Sequence, residues 1–211
     1  MALTKPSTAA SQRSSAVLAM VVLVAALIGA NYSVMQLALE HTTPLMLTGF
    51  RLAVGAAALL LYAWFRGESL PRDRNNLLGI FAVSVCITTL SSMTLVVGVS
   101  LVPAGVGALL SSMVPVWTAL LAFFFLDERL GVWAVVGVGI GVVGAVALSS
   151  PALEGETSLA GIASLLISGL AWASGIAVMR WWPFDGVSPT MITTVQLVMS
   201  TVVVVPIALV I

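Results

Sequence analysis

Charged residues are scarce in this 211-residue chain: only 8% of its residues are Asp, Glu, Lys or Arg, whereas 60% are hydrophobic. A soluble domain usually contains about 25% charged residues, and so few charges cannot cover the apolar surface of a soluble domain of this size. The same composition excludes a disordered chain, because disorder requires low hydrophobicity and high net charge. The sequence therefore indicates a polytopic membrane protein.

Other shortages exclude further classes of protein. The single cysteine, Cys86, excludes a disulfide scaffold, and one cysteine with one histidine cannot supply the four ligands of a zinc site. Eight basic residues balanced by eight acidic ones form no basic stripe for nucleic acid. A retinal-type receptor needs a lysine within its helices, and the only lysine is Lys5. We predict no cofactor, no metal site and no nucleic-acid partner.

The chain contains five long runs without a charged residue, at 14–39, 75–126, 130–153, 157–179 and 186–211. A membrane-spanning helix needs about 20 apolar residues, so the longest run must hold two spans, which the turn residues at 100–105 separate. We predict an all-α membrane protein with seven spans, at 16–38, 45–65, 77–99, 105–126, 132–149, 159–179 and 190–211. The first apolar run is longer than the core of a signal peptide, which favours an uncleaved span.

The basic residues predict the orientation of these spans. If the N-terminus is cytoplasmic, seven basic residues lie on the cytoplasmic side and none on the other, which holds Glu40, Glu154 and Glu156. The remaining basic residue, Arg51, lies within the second span. The bias predicts an N-terminus in the cytoplasm, and we expect the membrane to be the bacterial inner membrane.

The chain contains a faint internal repeat. A shift of 144 residues aligns 29–36 with 173–180, and a shift of 145 aligns Pro44 with Pro189, Thr48 with Thr193, Arg51 with Gln196 and Leu52 with Leu197. The first unit then holds five spans, so the second unit enters the membrane inverted. Inverted repeats are typical of secondary transporters, whose substrate sites lie between the repeats near the bilayer midplane.

Several motifs resemble those of EamA-type drug/metabolite transporters. They are Gly29-Ala30-Asn31-Tyr32, Phe50-Arg51-Leu52, the run from Ser111 through Pro115 to Leu121, Asp127-Glu128-Arg129-Leu130 and Ala171-Trp172-Ala173, although Ile28 replaces a tryptophan usual in the family. The resemblance implies ten helices in two inverted five-helix repeats. It divides this chain into a cytoplasmic tail at 1–15, a first repeat at 16–150 and two helices of a second repeat at 158–211. Three helices would then be missing, and we expect a fragment in preference to a working seven-helix protein.

Arg51 is the sharpest candidate for substrate binding. A guanidinium inside a bilayer costs at least ~2.5 kcal/mol on insertion scales, so it is expected to face a cavity or a partner. It could bind a carboxylate or phosphate in bidentate fashion. The alternative is that Arg51 reaches the outer surface, about 10 Å away by helix rise, or pairs with Glu40.

Other polar and aromatic residues within the spans are predicted to contact substrate, with hydrogen bonding between helices as the alternative. These are Asn31, Tyr32, Gln36, Trp172 and Gln196. Hydroxyl residues also give the third span a polar side, at Ser84, Thr88, Thr89, Ser91, Ser92 and Thr94. Such hydroxyls can instead bond to carbonyls of their own helix.

Proline and glycine suggest roles in bending and packing. Pro115 is expected to bend the fourth span, which would suit alternating access. Gly137, Gly141 and Gly144 form a small-residue face on the fifth span. Packing within the repeat is the first interpretation of this face, and homodimerisation is the second.

The function that the resemblance implies is export or exchange of a small metabolite, an amino acid or a related polar compound, by alternating access. No Asp or Glu lies well inside a predicted span, so an embedded carboxylate for proton coupling is lacking there. An alternative from another class is a non-transporting scaffold. A remote one is an intramembrane serine protease using Ser174, but its only possible histidine base, His41, is predicted at the opposite side of the membrane. We therefore predict a transporter and not an enzyme.

Overall fold

The computed structural model describes residues 8–125, 131–153 and 158–210. Side chains are described for 17–125, 131–147 and 158–210. The Asp127-Glu128-Arg129 turn and the acidic pair Glu154 and Glu156 lie outside the described residues.

The described chain folds into helices that match the predicted spans. Their bounds are α1 Thr8–Leu39, α2 Pro44–Phe65, α3 Arg74–Val83, a π-helical segment Ser84–Leu90, α4 Ser91–Leu101, α5 Ala104–Ser111, α6 Val114–Phe125, α7 Val132–Leu153, α8 Leu159–Trp181 and α9 Pro189–Val210. Six candidate spans are long and apolar enough to cross a bilayer, where α3 to α4 form one span and α5 to α6 form another. The apolar stretch Val132–Ala147 is shorter. The prediction of an all-α, multi-span membrane protein is confirmed.

Two of the spans are interrupted. The third changes from α to π geometry at Ser84–Leu90 and back again, and π-helical turns are frequent at functional sites. The fourth breaks after Ser111, and α6 restarts at Val114 with Pro115 in its first turn. A proline lacks the N–H for a helical bond and clashes with the carbonyl four residues earlier, so a break one turn before Pro115 is physically reasonable. A role for Pro115 in bending during transport stays a prediction.

Helices α2 and α9 begin in the same way. Thr43 Oγ1 accepts a hydrogen bond from the backbone N–H of Met46 at 3.3 Å, and Ser188 Oγ accepts one from that of Met191 at 3.1 Å. Each cap is followed by a proline at the first helical position, which needs no hydrogen-bond donor there. Because both helices begin at a proline that follows a hydroxyl cap, the aligned residues lie at the same number of positions after the start of each helix, as the repeat alignment predicts.

The last two helices pack among the earlier spans. Helix α9 lies along α2 and also contacts the π-helical segment, whereas α8 packs against α4, α6 and the π-helical segment. Helix α1 contacts α5, α4 and α2, and α7 contacts α6 most closely. The helices aligned by the repeat, α2 and α9, are thus direct neighbours, with the π-helical segment and α8 beside them.

Glycines allow α4 and α8 to approach closely. A Cβ atom added at Gly98 would lie 2.6 Å from Leu165 Cγ and 3.1 Å from the carbonyl oxygen of Gly161. One added at Gly161 would lie 2.7 Å from Val102 Cγ1. These distances are well inside normal carbon contacts of 3.5–4.0 Å, so side chains at either position would force the helices apart.

One glycine of the small-residue face on α7 packs against a neighbouring helix, and the other two do not. A Cβ atom at Gly141 would lie 2.8 Å from Val116 Cγ2 on α6, which is the packing within the repeat that the sequence favours. Nothing lies within 4 Å of such an atom at Gly137 or Gly144. Homodimerisation through this face stays a prediction.

Candidate substrate cavity

A cavity of about 280 Å³ opens among α2, the third span, α8 and α9. It brings together three of the residues that the sequence predicts to contact substrate, Arg51, Trp172 and Gln196. The other lining residues are Thr48, Leu52, Ile87, Thr88, Ser92, Thr193 and Leu197.

The internal repeat accounts for most of this wall. Six of the ten lining residues are the aligned pairs Thr48 and Thr193, Arg51 and Gln196, and Leu52 and Leu197. In each pair one residue comes from α2 and the other from α9. The cavity therefore lies between the two helices that the repeat alignment pairs, and its one charged lining residue is on α2.

Arg51 has an unusual protein partner. Its Nη1 donates to the thioether sulfur of Met35 at 3.1 Å, and Met35 itself is only 2% exposed. Among the side chains that the structure describes, no carboxylate pairs with Arg51, including the nearby candidate Glu40. A thioether is a neutral, weak acceptor, so the guanidinium keeps its charge and most of its donors for other partners.

Gln196 joins the cavity to a buried hydroxyl network. Its side chain is buried, and Nε2 donates to Thr88 Oγ1 at 2.6 Å. One turn further along α9, Ser200 Oγ lies 2.8 Å from Ser84 Oγ and accepts from Thr89 Oγ1 at 3.0 Å. The π-helical segment therefore contacts α9 through the side-chain oxygens of Ser84, Thr88 and Thr89.

An apolar wall faces these polar groups. Leu52, Ile87, Trp172 and Leu197 supply hydrocarbon and indole surface around the same cavity. Cavities of this kind, mostly apolar with a few placed polar groups, are typical of small-molecule sites.

The predicted α1 residues lie elsewhere. Gln36 Nε2 donates to the carbonyl oxygen of Val102 at 2.8 Å, at the end of α4. Asn31 Nδ2 approaches Met35 Sδ at 3.5 Å, and Tyr32 packs against a hydrophobic cluster that includes Met35. None of the three lines the cavity. Among the described contacts, Asn31 is linked to Arg51 only through the sulfur of Met35. Direct substrate contact by these three residues stays a prediction.

Sequence reasoning missed Ile87 as a wall residue and the π geometry that brings Thr88 to the cavity. Thr48 and Thr193 were visible only as an aligned pair. The signal that could have found them is the repeat itself, because residues matched across inverted units meet where the units pack.

A larger cleft lies outside the helices, between the loop that follows α2 and the loop that follows α8. Its volume is about 710 Å³, and its lining includes Glu68, Arg72, Asp73 and Asp185. Hydrogen bonds cross it from Asn76 Nδ2 to the carbonyl oxygen of Asp185 at 3.1 Å and from Ser188 to the Glu68 carboxylate. We assign the candidate site to the smaller cavity, because that one lies among the spans and is lined by Arg51.

The alternative of a serine protease receives no support from the geometry of Ser174. Its Oγ donates to the carbonyl oxygen of Leu170 in the same helix at 2.8 Å. Such a bond is the usual arrangement of a helical serine in an apolar setting.

Comparisons with known proteins indicate the class of protein. The chain is 26% identical over 152 residues to the uncharacterized transporter YvbV of Bacillus subtilis, covering 72% of this chain and 50% of the relative. It is 30% identical over 149 residues to the uncharacterized inner membrane transporter YedA of Escherichia coli K12, covering 70% of this chain and 47% of the relative. The chain thus spans about half the length of these relatives, and no solved structure matches it significantly.

The model of the EamA-like transporter family matches residues 15–150, which are 136 of the 211 residues. The family and both relatives are named as transporters, in agreement with the predicted class. With more than half of its length matched, the chain belongs to the EamA-like transporter family.

Proposed function

We propose that this protein moves a small anionic or zwitterionic metabolite across the membrane, by export or exchange, with Arg51 binding the anionic group. The observation that carries the proposal is the Arg51 guanidinium at the cavity wall with a thioether as its described partner. An amino acid or a related polar compound would fit this chemistry.

The charge of Arg51 provides the attraction. Two opposite charges 4 Å apart attract by about 4 kcal/mol at the effective dielectric constant near a protein surface. A planar guanidinium also fits a carboxylate or phosphate through two parallel hydrogen bonds. An anion that enters the cavity would therefore supply the missing counter-charge, whereas a neutral solute would leave it uncompensated.

Alternating access is the proposed mechanism. The cavity lies between the aligned helices α2 and α9, and secondary transporters built from inverted repeats bind substrate between the repeats. The π-helical segment at one wall and the break between α5 and α6 are places where helix geometry can change with few lost hydrogen bonds. Rocking of α8 and α9 against the first unit would then open the cavity to each side in turn.

The test is binding and counterflow with radiolabelled amino acids and monocarboxylates, using the purified 211-residue chain and proteoliposomes. We expect Arg51→Gln to weaken binding of the accepted anion at least tenfold and Arg51→Lys to weaken it less. Arg66→Gln, which removes an exposed arginine outside the cavity, is the matched control and should bind normally. Arg51→Gln binding every ligand as the unmodified chain does would refute the proposal, and binding without counterflow would favour a non-transporting role.

We further propose a bacterial inner-membrane location with the N-terminus in the cytoplasm. The support is the bias of seven basic residues to one side, and the inner-membrane relative YedA. His41 and Ser69, both exposed, lie in loops at opposite ends of α2. In a Cys86→Ser background, a membrane-impermeant maleimide added to spheroplasts should label His41→Cys and spare Ser69→Cys. The reverse pattern would invert the proposed orientation.

A further inference from the structure

Two of the three threonines that line the cavity, one on α2 and one on α9, have already used their protons. Thr48 Oγ1 donates to the carbonyl oxygen of Pro44 at 2.8 Å, and Thr193 Oγ1 donates to that of Pro189 at 3.1 Å. A hydroxyl has one proton and two lone pairs. Each of these hydroxyls can therefore only accept a further hydrogen bond.

The two helices differ in how much of this accepting surface they expose. Thr48 is 2% exposed, whereas Thr193 at the equivalent position of α9 is an exposed residue. Gln196 adds a second acceptor on the same helix: one N–H of its Nε2 donates to Thr88, and its Oε1 receives no hydrogen bond from the described residues. The α9 wall thus presents acceptors, and the α2 wall presents the donors of Arg51.

This difference between the α2 wall and the α9 wall would orient a bound ligand. A carboxylate is repelled by the lone pairs of Thr193 and Gln196 and attracted by Arg51. An N–H or O–H group of the ligand is repelled by the guanidinium and accepted by the α9 wall. An anion without such a donor would leave these acceptors unpaired when it displaces water, which is how a site rejects an analogue that lacks a polar group.

We infer that the cavity selects an anion that also carries an N–H or O–H donor close to its anionic group, and that Thr193 and Gln196 are its specificity-determining residues. The inference rests on the proposed function of Arg51. The ligand class is that of 2-amino or 2-hydroxy acids with a hydrocarbon side chain, which would contact Leu52, Ile87 and Trp172.

The cavity also limits the size of the ligand. A volume of about 280 Å³ would hold roughly nine waters at ~30 Å³ each. A ligand of about nine heavy atoms therefore fits inside it, since bonded atoms each occupy less volume than a separate water. Three probes of matched skeleton meet this limit: L-leucine, 2-hydroxy-4-methylpentanoate and 4-methylpentanoate, which carry an ammonium, a hydroxyl and no donor.

The experiment measures equilibrium binding of the three probes to the purified 211-residue chain in detergent at pH 7. We expect at least one donor-bearing probe to bind tenfold or more tightly than 4-methylpentanoate, a factor that corresponds to ~1.4 kcal/mol. Tight binding of both donor probes means that any donor suffices, and tight binding of one identifies the donor as ammonium or hydroxyl.

Variants of the α9 wall test which residues discriminate among the three probes. Thr193→Val and Gln196→Met should reduce the tenfold difference to threefold or less. Thr201→Val is the matched control, because Thr201 lies on α9, donates to its own helix at Leu197 and does not line the cavity; it should keep the tenfold difference.

Three results would overturn the inference. Equal binding of all three probes, lost in Arg51→Gln, refutes donor selection and leaves the proposed function intact. Binding that does not depend on Arg51 refutes the proposed function as well. No binding of any of the three probes excludes this ligand class for the cavity.

Discussion

Replacing Gly98 by alanine should separate α4 from α8 and destabilise the fold. The added Cβ would lie 2.6 Å from Cγ and 2.8 Å from Cδ2 of Leu165, which is fully buried, and 3.1 Å from the Gly161 carbonyl oxygen. Normal contacts between carbon atoms are ~3.5–4.0 Å, so about 1 Å of overlap must be relieved by helix movement or by a strained rotamer. Overpacking of this kind costs ~1–3 kcal/mol.

The control for this substitution is Gly29→Ala on α1, where nothing lies within 4 Å of the added atom. Both substitutions change helix propensity in the same direction, by ~1 kcal/mol in favour of alanine. The difference between the two variants therefore isolates the steric cost. Reversible unfolding in mixed detergent micelles, followed by tryptophan fluorescence, should show Gly98→Ala unfolding ~1–3 kcal/mol more easily than Gly29→Ala.

A double variant tests the assigned contact. Leu165→Ala alone should cost ~2–5 kcal/mol because it leaves a cavity. In that background the clashing Cγ and Cδ2 atoms are absent, so Gly98→Ala should lose most of its penalty and show a coupling of ~1 kcal/mol or more. Additive effects in the double variant, or equal stabilities of Gly98→Ala and Gly29→Ala, would refute the close approach of the two helices.

Two further outcomes can be measured with the same preparations. Met35→Leu keeps the side-chain volume and removes the sulfur that accepts from Arg51. The anion that binds in the cavity should then bind about two- to tenfold more weakly, while the melting temperature changes little. Unchanged affinity would show that the thioether does not position the guanidinium. Ser200→Ala removes the only described acceptor of the Thr89 hydroxyl and should lower the free energy of unfolding by ~1–3 kcal/mol. Ser174→Ala, which removes a bond within a single helix, should lower it far less, and equal losses in the two variants would contradict a stabilising role for the hydroxyl network.

The sequence predicted the helices well because each span is bounded by strong local signals. Proline and a hydroxyl cap start α2 and α9, Asp73 caps α3 through the N–H of Asn76 at 3.0 Å, and charged loops follow the apolar runs. Most predicted ends lie within three residues of those observed. The π geometry at Ser84–Leu90 has no such signal, because contacts with Ser200 and Gln196 on a distant helix accompany it.

The candidate site was predictable where the repeat applied and not where single residues were considered alone. A polar residue in an apolar span must find a partner, but the sequence does not show on which side of the helix that partner lies. Gln36 illustrates this: its amide bonds the carbonyl oxygen of Val102, which follows the last residue of α4 and precedes Pro103, where helical bonding ends. Arg51 and Gln196 line one cavity, and their alignment carries information about both helices at once; their contact with substrate stays a prediction.

The difference between Arg51 and Gln196 is therefore the most informative feature of the alignment. Equivalent starts and equivalent threonine bonds in α2 and α9 place the two side chains at the same distance from the first residue of each helix. If both positions held arginine, two unpaired charges would share one small cavity and repel each other; if both held glutamine, nothing would attract an anion. One charge facing one amide gives a ligand a single favourable orientation, with its anionic group toward α2. A transporter that presents such a cavity to either side of the membrane would bind its substrate in the same orientation at both.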